Sequence, residues 1–206
     1  GLWVGTNNGV AYLPPDWNDF SRFVHRPDDP GSLNADSYTA VAASADGRLW
    51  IGGANGSLDR LDPATGAVEH VLGRLQGLSN AILALAEDRQ GRLWISTYDH
   101  GYRLDRGKLD TLQELSGPQH IVFDDEDNAY IDLNNGGMGM VPRDGLRFRP
   151  LQLRQPAIDT RSPYKLQWYD HALWFATQAG LFRWVPGTPA ALPVAGVGQA
   201  PLWAMD

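Results

Sequence analysis

The sequence predicts an all-β chain built as a β-propeller of about five four-stranded repeats. Three observations carry that prediction. A short aromatic-centred signature recurs along the chain, its spacing fits one four-stranded blade, and helical periodicity is nowhere sustained. The signature reads GLWVGT from Gly1, RLWIGG from Arg48, RLWIST from Arg92, NAYIDL from Asn128 and ALWFAT from Ala172. Its anchors, Trp3, Trp50, Trp94, Tyr130 and Trp174, stand 47, 44, 36 and 44 residues apart. A propeller blade takes roughly 40–50 residues.

Each repeat divides into four strands joined by turns. Before the anchor comes a short apolar run: Thr39 to Ala43, Ile82 to Ala86, His120 to Phe123, Lys165 to Tyr169. Turn-forming residues follow, as in Ser44-Ala45-Asp46-Gly47, Asp88-Arg89-Gln90-Gly91 and Asp125-Glu126-Asp127-Asn128. The anchor strand is next. Leu49-Trp50-Ile51 and Leu93-Trp94-Ile95 are apolar on both sides of the pleat, as a strand covered on both faces requires. A second turn (Thr6 to Gly9, Ala54 to Gly56, Tyr98 to Gly101, Asn134 to Gly137) leads to a third strand such as Val10 to Leu13 or Leu58 to Leu61. Asp62-Pro63-Ala64-Thr65-Gly66 then turns the chain into a fourth, Ala67 to Leu72. The first strands are rich in alanine, which suits strands crowded around a central channel.

The repeat units fall at residues 1–38, 39–80, 81–118, 119–163 and 164–199, with 200–206 an orphan first strand. Gly1 begins directly on an anchor strand, and Ala200 to Asp206 reads as a first strand lacking its anchor. Two arrangements follow: a small closed ring, completed by the C-terminal strand pairing with the first blade, or an arc of a larger propeller. The arc is the preferred expectation, because the start has no natural N-terminal features.

Composition narrows the function. Lys and Arg number 17 against 24 Asp and Glu, a net charge of −7 without a basic run, so nucleic acid and anionic membrane are not expected partners. No apolar stretch approaches the roughly 18 residues that span a bilayer. Cysteine is absent, which removes disulfides and thiolate metal sites. No zinc-protease, serine-nucleophile or phosphate-loop motif occurs. The acidic run Asp124-Asp125-Glu126-Asp127 lacks calcium-loop spacing and reads as a turn, and Gly136-Gly137-Met138-Gly139 lacks the Lys of a phosphate loop. No cofactor, metal site or catalytic residue is expected, and the chain is not expected to be an enzyme.

The segment His25-Arg26-Pro27-Asp28-Asp29-Pro30-Gly31-Ser32-Leu33-Asn34 runs into Tyr38-Thr39-Ala40-Val41 and then Asp46-Gly47-Arg48-Leu49-Trp50-Ile51-Gly52. It resembles the two-component regulator propeller repeat, with its Pro-Asn-Asn-Pro-x-Ser-Leu connection and Asp-x-x-Gly-x-Leu-Trp-Ile-Gly-Thr core. Gly77-Leu78-Ser79-Asn80-Ala81 is similar to a shorter form of that connection. The resemblance is strongest from Gly1 to Leu104 and weakens in the fourth unit, where Tyr130 replaces Trp and Asp132-Leu133 replaces Gly-Thr. It implies a periplasmic ligand-sensing region of an inner-membrane receptor, driving a histidine kinase or diguanylate cyclase through parts outside this sequence. It also implies oligosaccharide inputs.

The candidate ligand-binding residues lie in the turns after the anchor strands, which in propellers open on the face that usually carries the ligand. Tyr98, Asp99 and His100 share one such turn, where Asp99 is placed to orient His100 and Tyr98 to stack on a sugar ring. Equivalent turns supply Asn55, Asn134, Asn135 and Gln178, with Asn7 and Asn8 in the first unit. Amides offer donors and acceptors together, which suits a hydroxyl-rich ligand. His120, His171, Trp168 and Trp17 read as structural or packing residues. The expected function is therefore ligand sensing, or receptor dimerisation through blade faces. The alternatives are a periplasmic lyase or glycosidase using Asp99 and His100, and a purely structural interaction module.

Overall fold

The structure, a computed structural model, describes residues 1–6, 9–13, 21–72, 80–134, 137–153, 165–177 and 179–194. Asn7, Asn8, Trp17, Asn135, Gln178 and the 200–206 strand expected above lie outside the described residues. Among the described residues there is no helix, and the strands form five antiparallel sheets. The first has three described strands, β1 (Leu2–Thr6), β2 (Gly9–Leu13) and β3 (Ser21–Phe23). The second is β4 (Tyr38–Ala43), β5 (Leu49–Gly53), β6 (Leu58–Leu61) and β7 (Val68–Leu72). The third is β8 (Ile82–Glu87), β9 (Leu93–Thr97), β10 (Gly101–Asp105) and β11 (Lys108–Thr111). The fourth is β12 (Pro118–Phe123), β13 (Ala129–Leu133), β14 (Met138–Val141) and β15 (Arg149–Pro150). The fifth is β16 (Lys165–Tyr169), β17 (Ala172–Thr177), β18 (Gly180–Trp184) and β19 (Leu192–Pro193). Each is a meander in chain order, the blade of a β-propeller.

The turn before each anchor shows how local chemistry fixes the meander. Gly47 and Gly91 take positive φ of 85° and 75°, where a side chain is strained, and in the fourth blade Asp127 occupies the same place at φ 65°. The fifth blade instead uses a two-residue turn, Asp170-His171, at φ 49° and 55°. The first strands of the second, third and fourth blades share one irregularity. Register slips between Tyr38 and Ala40, between Ile82 and Ala84, and between Pro118 and Ile121. These bulges start the strands at Tyr38 and Pro118, slightly earlier than the apolar pattern suggests.

The chain falls into two compact units, Gly1–Tyr98 with Leu104–Gly107, and Asp99–Arg103 with Lys108–Asp206. In the first, Val10, Leu33, Ala35, Tyr38, Leu49, Ile51 and Leu61 form the core, with Trp3 and Phe23 packed against it. Leu33 and Ala35 belong to the connection between blades, so that segment is part of the core rather than a free loop. Strands β4 and β8 lie side by side. The Thr39 hydroxyl donates to the Ile82 carbonyl, and Glu87 accepts both the Trp50 indole N–H and the Ala45 amide. In the second unit, Tyr130, Met138, Leu166, Leu173, Phe175, Phe182, Trp184 and Ala191 form the core, and β12 lies beside β16. Trp168 stacks on Tyr130 with ring centroids 5.6 Å apart and planes 10° apart. In both units the last residues of a first strand cap the preceding blade's anchor: Glu87 on Trp50, Trp168 on Tyr130.

Candidate functional site

The turn after each anchor strand begins where β5, β9, β13 and β17 end, and small residues stand just before the ends of β5, β9 and β17. Register places Gly52 opposite Ala40, Ser96 opposite Ala84 and Ala176 opposite Lys165. At Gly52 there is no spare room: a Cβ would lie 2.7 Å from Ile82 Cγ2 and 3.2 Å from Ala40 Cβ. The fourth blade has Asp132 at this position, fully buried at 0% exposure.

Burying a carboxylate is costly unless its oxygens are bonded, and Asp132 is served by one residue. His120 donates its backbone N–H to Oδ1 at 2.6 Å and its ring Nδ1–H to Oδ2 at 2.9 Å. The β12 bulge is what turns both donors toward the aspartate. The hydrogen bond to Asp132 raises the His120 pKa above the ordinary imidazole value, while burial and the nearby positive charge of Lys165 pull against it. With Nδ1–H committed, the half-exposed ring offers Nε2 to an incoming group. Beside this pair, Gln119 Nε2 donates to Asn134 Oδ1 at 3.1 Å, and the Asn134 backbone N–H reaches the Gly117 carbonyl at 2.7 Å. A carboxylate–imidazole pair and a bonded pair of amides thus come from neighbouring positions of β12 and the end of β13, groups able to bind hydroxyls or to exchange a proton.

The other residues expected from sequence are placed differently. Tyr98 is 56% exposed, and Asp99 and His100 are exposed. The His100 ring lies 6.0 Å from that of Tyr102, whose hydroxyl is pushed up in pKa by burial and by the charge of Asp99. Asn55 is tied into its own turn, accepting from the Ser57 amide at 3.0 Å and donating to the Asn34 carbonyl at 3.3 Å. Of the described candidates, Asn134 is the one bonded to Gln119, the chain neighbour of the His120 that holds Asp132. His120 and Asp132 themselves were not candidates in the sequence. The available signal was the Asp that replaces a small residue after the fourth anchor, with a His on the facing strand.

Asp–His pairs also form elsewhere among the described residues. Asp125 and His171 meet at 2.5 Å between neighbouring turns, both well exposed, and His171 is raised in pKa by that contact. Asp59 and His70 meet at 2.7 Å in the second blade. Among the described residues, no group of three or more His, Cys, Asp or Glu is placed to hold a metal ion.

Residues 76–99 match the family model described as two component regulator propeller. No curated protein matches the chain. Among solved structures, the extracellular domain of a candidate hybrid two component system from B. thetaiotaomicron superposes with a TM-score of 0.73 at 19% identity, over 89% of this chain and 25% of that one. The chain thus spans a quarter of that relative's length. Virginiamycin B lyase from Staphylococcus aureus superposes with a TM-score of 0.70 at 16% identity, over 94% of this chain and 66% of that one. A catalytically inactive His-to-Ala variant of that lyase, with quinupristin, gives 0.69 at 18%, over 92% and 64%. At these identities the likeness is one of fold.

Proposed function

For a chain that carries the two-component regulator propeller repeat, as this one does, we propose a role as the ligand-sensing propeller portion of a bacterial signal-transduction receptor. Its place is periplasmic, and its output a histidine kinase or diguanylate cyclase. Its ligand is a small hydroxyl-rich molecule such as an oligosaccharide, bound at the fourth-blade end by Gln119, His120 and Asn134 around Asp132. The observation that carries this reading is the fully buried Asp132 held by His120, at a position where the second blade tolerates only glycine. Sensing requires differential affinity for two receptor states rather than bond-making groups. Thermal shifts against an oligosaccharide panel test it, with Asn134→Ala and His120→Ala beside the wild type. A saccharide-specific shift that either variant abolishes supports the site. An unchanged shift in both variants moves the ligand elsewhere, toward Tyr98, Asp99 and His100, and no shift with any saccharide removes the oligosaccharide reading.

A second reading, a periplasmic lyase, draws on one observation: a His oriented by a buried carboxylate is the usual form of a general base. The lyase of similar fold is inactive as a His-to-Ala variant. Turnover that disappears in His120→Gln would establish that reading, and binding without turnover favours the sensor.

A further inference from the structure

The connection between the first two blades is fastened by a histidine whose two ring nitrogens both face acceptors. His70 Nδ1 lies 2.7 Å from Asp59 Oδ1, and Nε2 lies 2.8 Å from the Pro30 carbonyl oxygen. Neither acceptor can donate, because one is an amide carbonyl and the other a carboxylate. Both ring nitrogens therefore carry protons, which makes His70 an imidazolium. The Asp59 side chain is fully buried, and it also accepts the Asn34 amide at 2.8 Å and the Asn34 side chain at 3.2 Å. Ser32 closes the strap on itself, its hydroxyl donating to the Asp29 carbonyl at 2.7 Å and accepting the Arg26 amide at 2.8 Å.

We propose that His70 is a proton-operated latch: as imidazolium it ties the connection Arg26–Asn34 to strands β6 and β7, and loss of one proton releases Pro30. The neutral ring keeps Nδ1–H on Asp59, the stronger acceptor. Its Nε2 lone pair then opposes the Pro30 carbonyl, and that contact opens. Asn34 stays bonded to Asp59 in both states, so the release is confined to the Pro30 end of the strap.

The charges around His70 are consistent with this. Asp59 on β6 faces it and raises its pKa above the ordinary imidazole value, first through the hydrogen bond and also through charge, while burial pulls it down. On β7, Glu69 pairs with Arg48 at 3.5 Å, and on β6 Arg60 pairs with Asp46 at 2.9 Å. The strap carries Asp28 and the Arg26–Asp29 pair at 3.5 Å. Asp36 precedes β4, and at its start the Tyr38 hydroxyl is pushed up in pKa by burial and by the charges of Asp59 and Asp36. With its folded pKa raised, the contribution of His70 is complete below about pH 6.5 and disappears as pH rises through the folded value.

Hydrogen exchange on the full chain, corrected for intrinsic rates, tests the latch. The Ser32 amide donates to the Asp29 carbonyl at 3.0 Å, beside Pro30. From about pH 6 to about pH 9 it is expected to lose roughly tenfold in protection, as one charge-assisted bond is given up, while Asn34 keeps its bond to Asp59. In His70→Gln, whose side chain cannot titrate, Ser32 protection is expected to be flat across the same range. Nitrogen-resolved NMR of His70 in the wild type gives a second reading that needs no variant. It should show both nitrogens protonated at low pH, then the Nδ1–H tautomer, with a midpoint above about 6.5. A midpoint at or below that value, a flat Ser32 profile in the wild type, or an unchanged drop in His70→Gln overturns the latch.

Discussion

Asp88 Oδ2 accepts the indole N–H of Trp94 at 2.9 Å, six residues along the chain. The same oxygen takes the Arg92 Nε–H at 2.6 Å, and Oδ1 accepts the backbone amides of Gln90 and Arg92, each at 3.0 Å. The aspartate thereby shapes the turn and fixes the anchor at once. In the fourth blade Asp124 stands six before Tyr130, which has no indole, and bonds Asn128 instead. In the second blade Ser44 stands six before Trp50, and that indole turns to Glu87 of the next blade.

Replacing Asp88 by Ala removes a shared acceptor for a buried guanidinium and a buried indole. The expected loss is about 3 kcal/mol, the cost of breaking a buried pair, measured by denaturant midpoint. Asp88→Asn, which keeps part of the turn bonding, is expected to lose less. Equal losses in the two variants would show that the charge of Asp88 carries the whole effect.

Gly52→Ala forces a Cβ to within 2.7 Å of Ile82 Cγ2. Overpacking of this kind costs about 1–3 kcal/mol, read as a lowered Tm. A neutral outcome would mean that the second and third blades separate more easily than their packing indicates.

Trp168 stacks on Tyr130, yet its indole N–H is buried and meets no acceptor among the described residues. Trp168→Phe keeps a ring on Tyr130 and removes the orphaned donor, whose burial costs about 1–3 kcal/mol. It is expected to be neutral or stabilising, whereas Trp168→Ala loses the stack and destabilises. Substantial destabilisation by Phe would show that the full indole area matters more than its polar atom.

The His120 pKa is raised chiefly by its bond to Asp132. Its contribution to stability is therefore present below about pH 6.5 and lost as pH rises through the folded value. NMR titration should place the His120 midpoint above the free-imidazole value in the wild type and lower in Asp132→Asn. The same midpoint in both proteins would assign the shift to another neighbour.

Much of the fold was legible because a blade is a local object. The anchors Trp50 and Trp94, the turns at Gly47 and Gly91, and the doubly apolar strands Leu49–Gly53 and Leu93–Thr97 are each encoded within a few residues. The site was less legible. Asn134 stood out by its turn, but its significance comes from Gln119 and His120, on the facing strand and more than ten residues away, and from what His120 does for Asp132. His120 alone is indistinguishable from a core histidine in a line of sequence.

The strand-and-turn meander and its repeat are encoded locally, because period-2 patterning, turn residues and a recurrent anchor act over a handful of neighbours. Tertiary structure alone decided which polar groups are spent and which are poised. Bulges in three first strands and the closeness of Ile82 to Gly52 set the packing, and the burial of Asp59 and Asp132 determines what His70 and His120 can touch. Hydrogen bonding and desolvation depend on distance in space, and segments such as Pro30 and His70, 40 residues apart, are brought to 2.8 Å only by the packing of the blade.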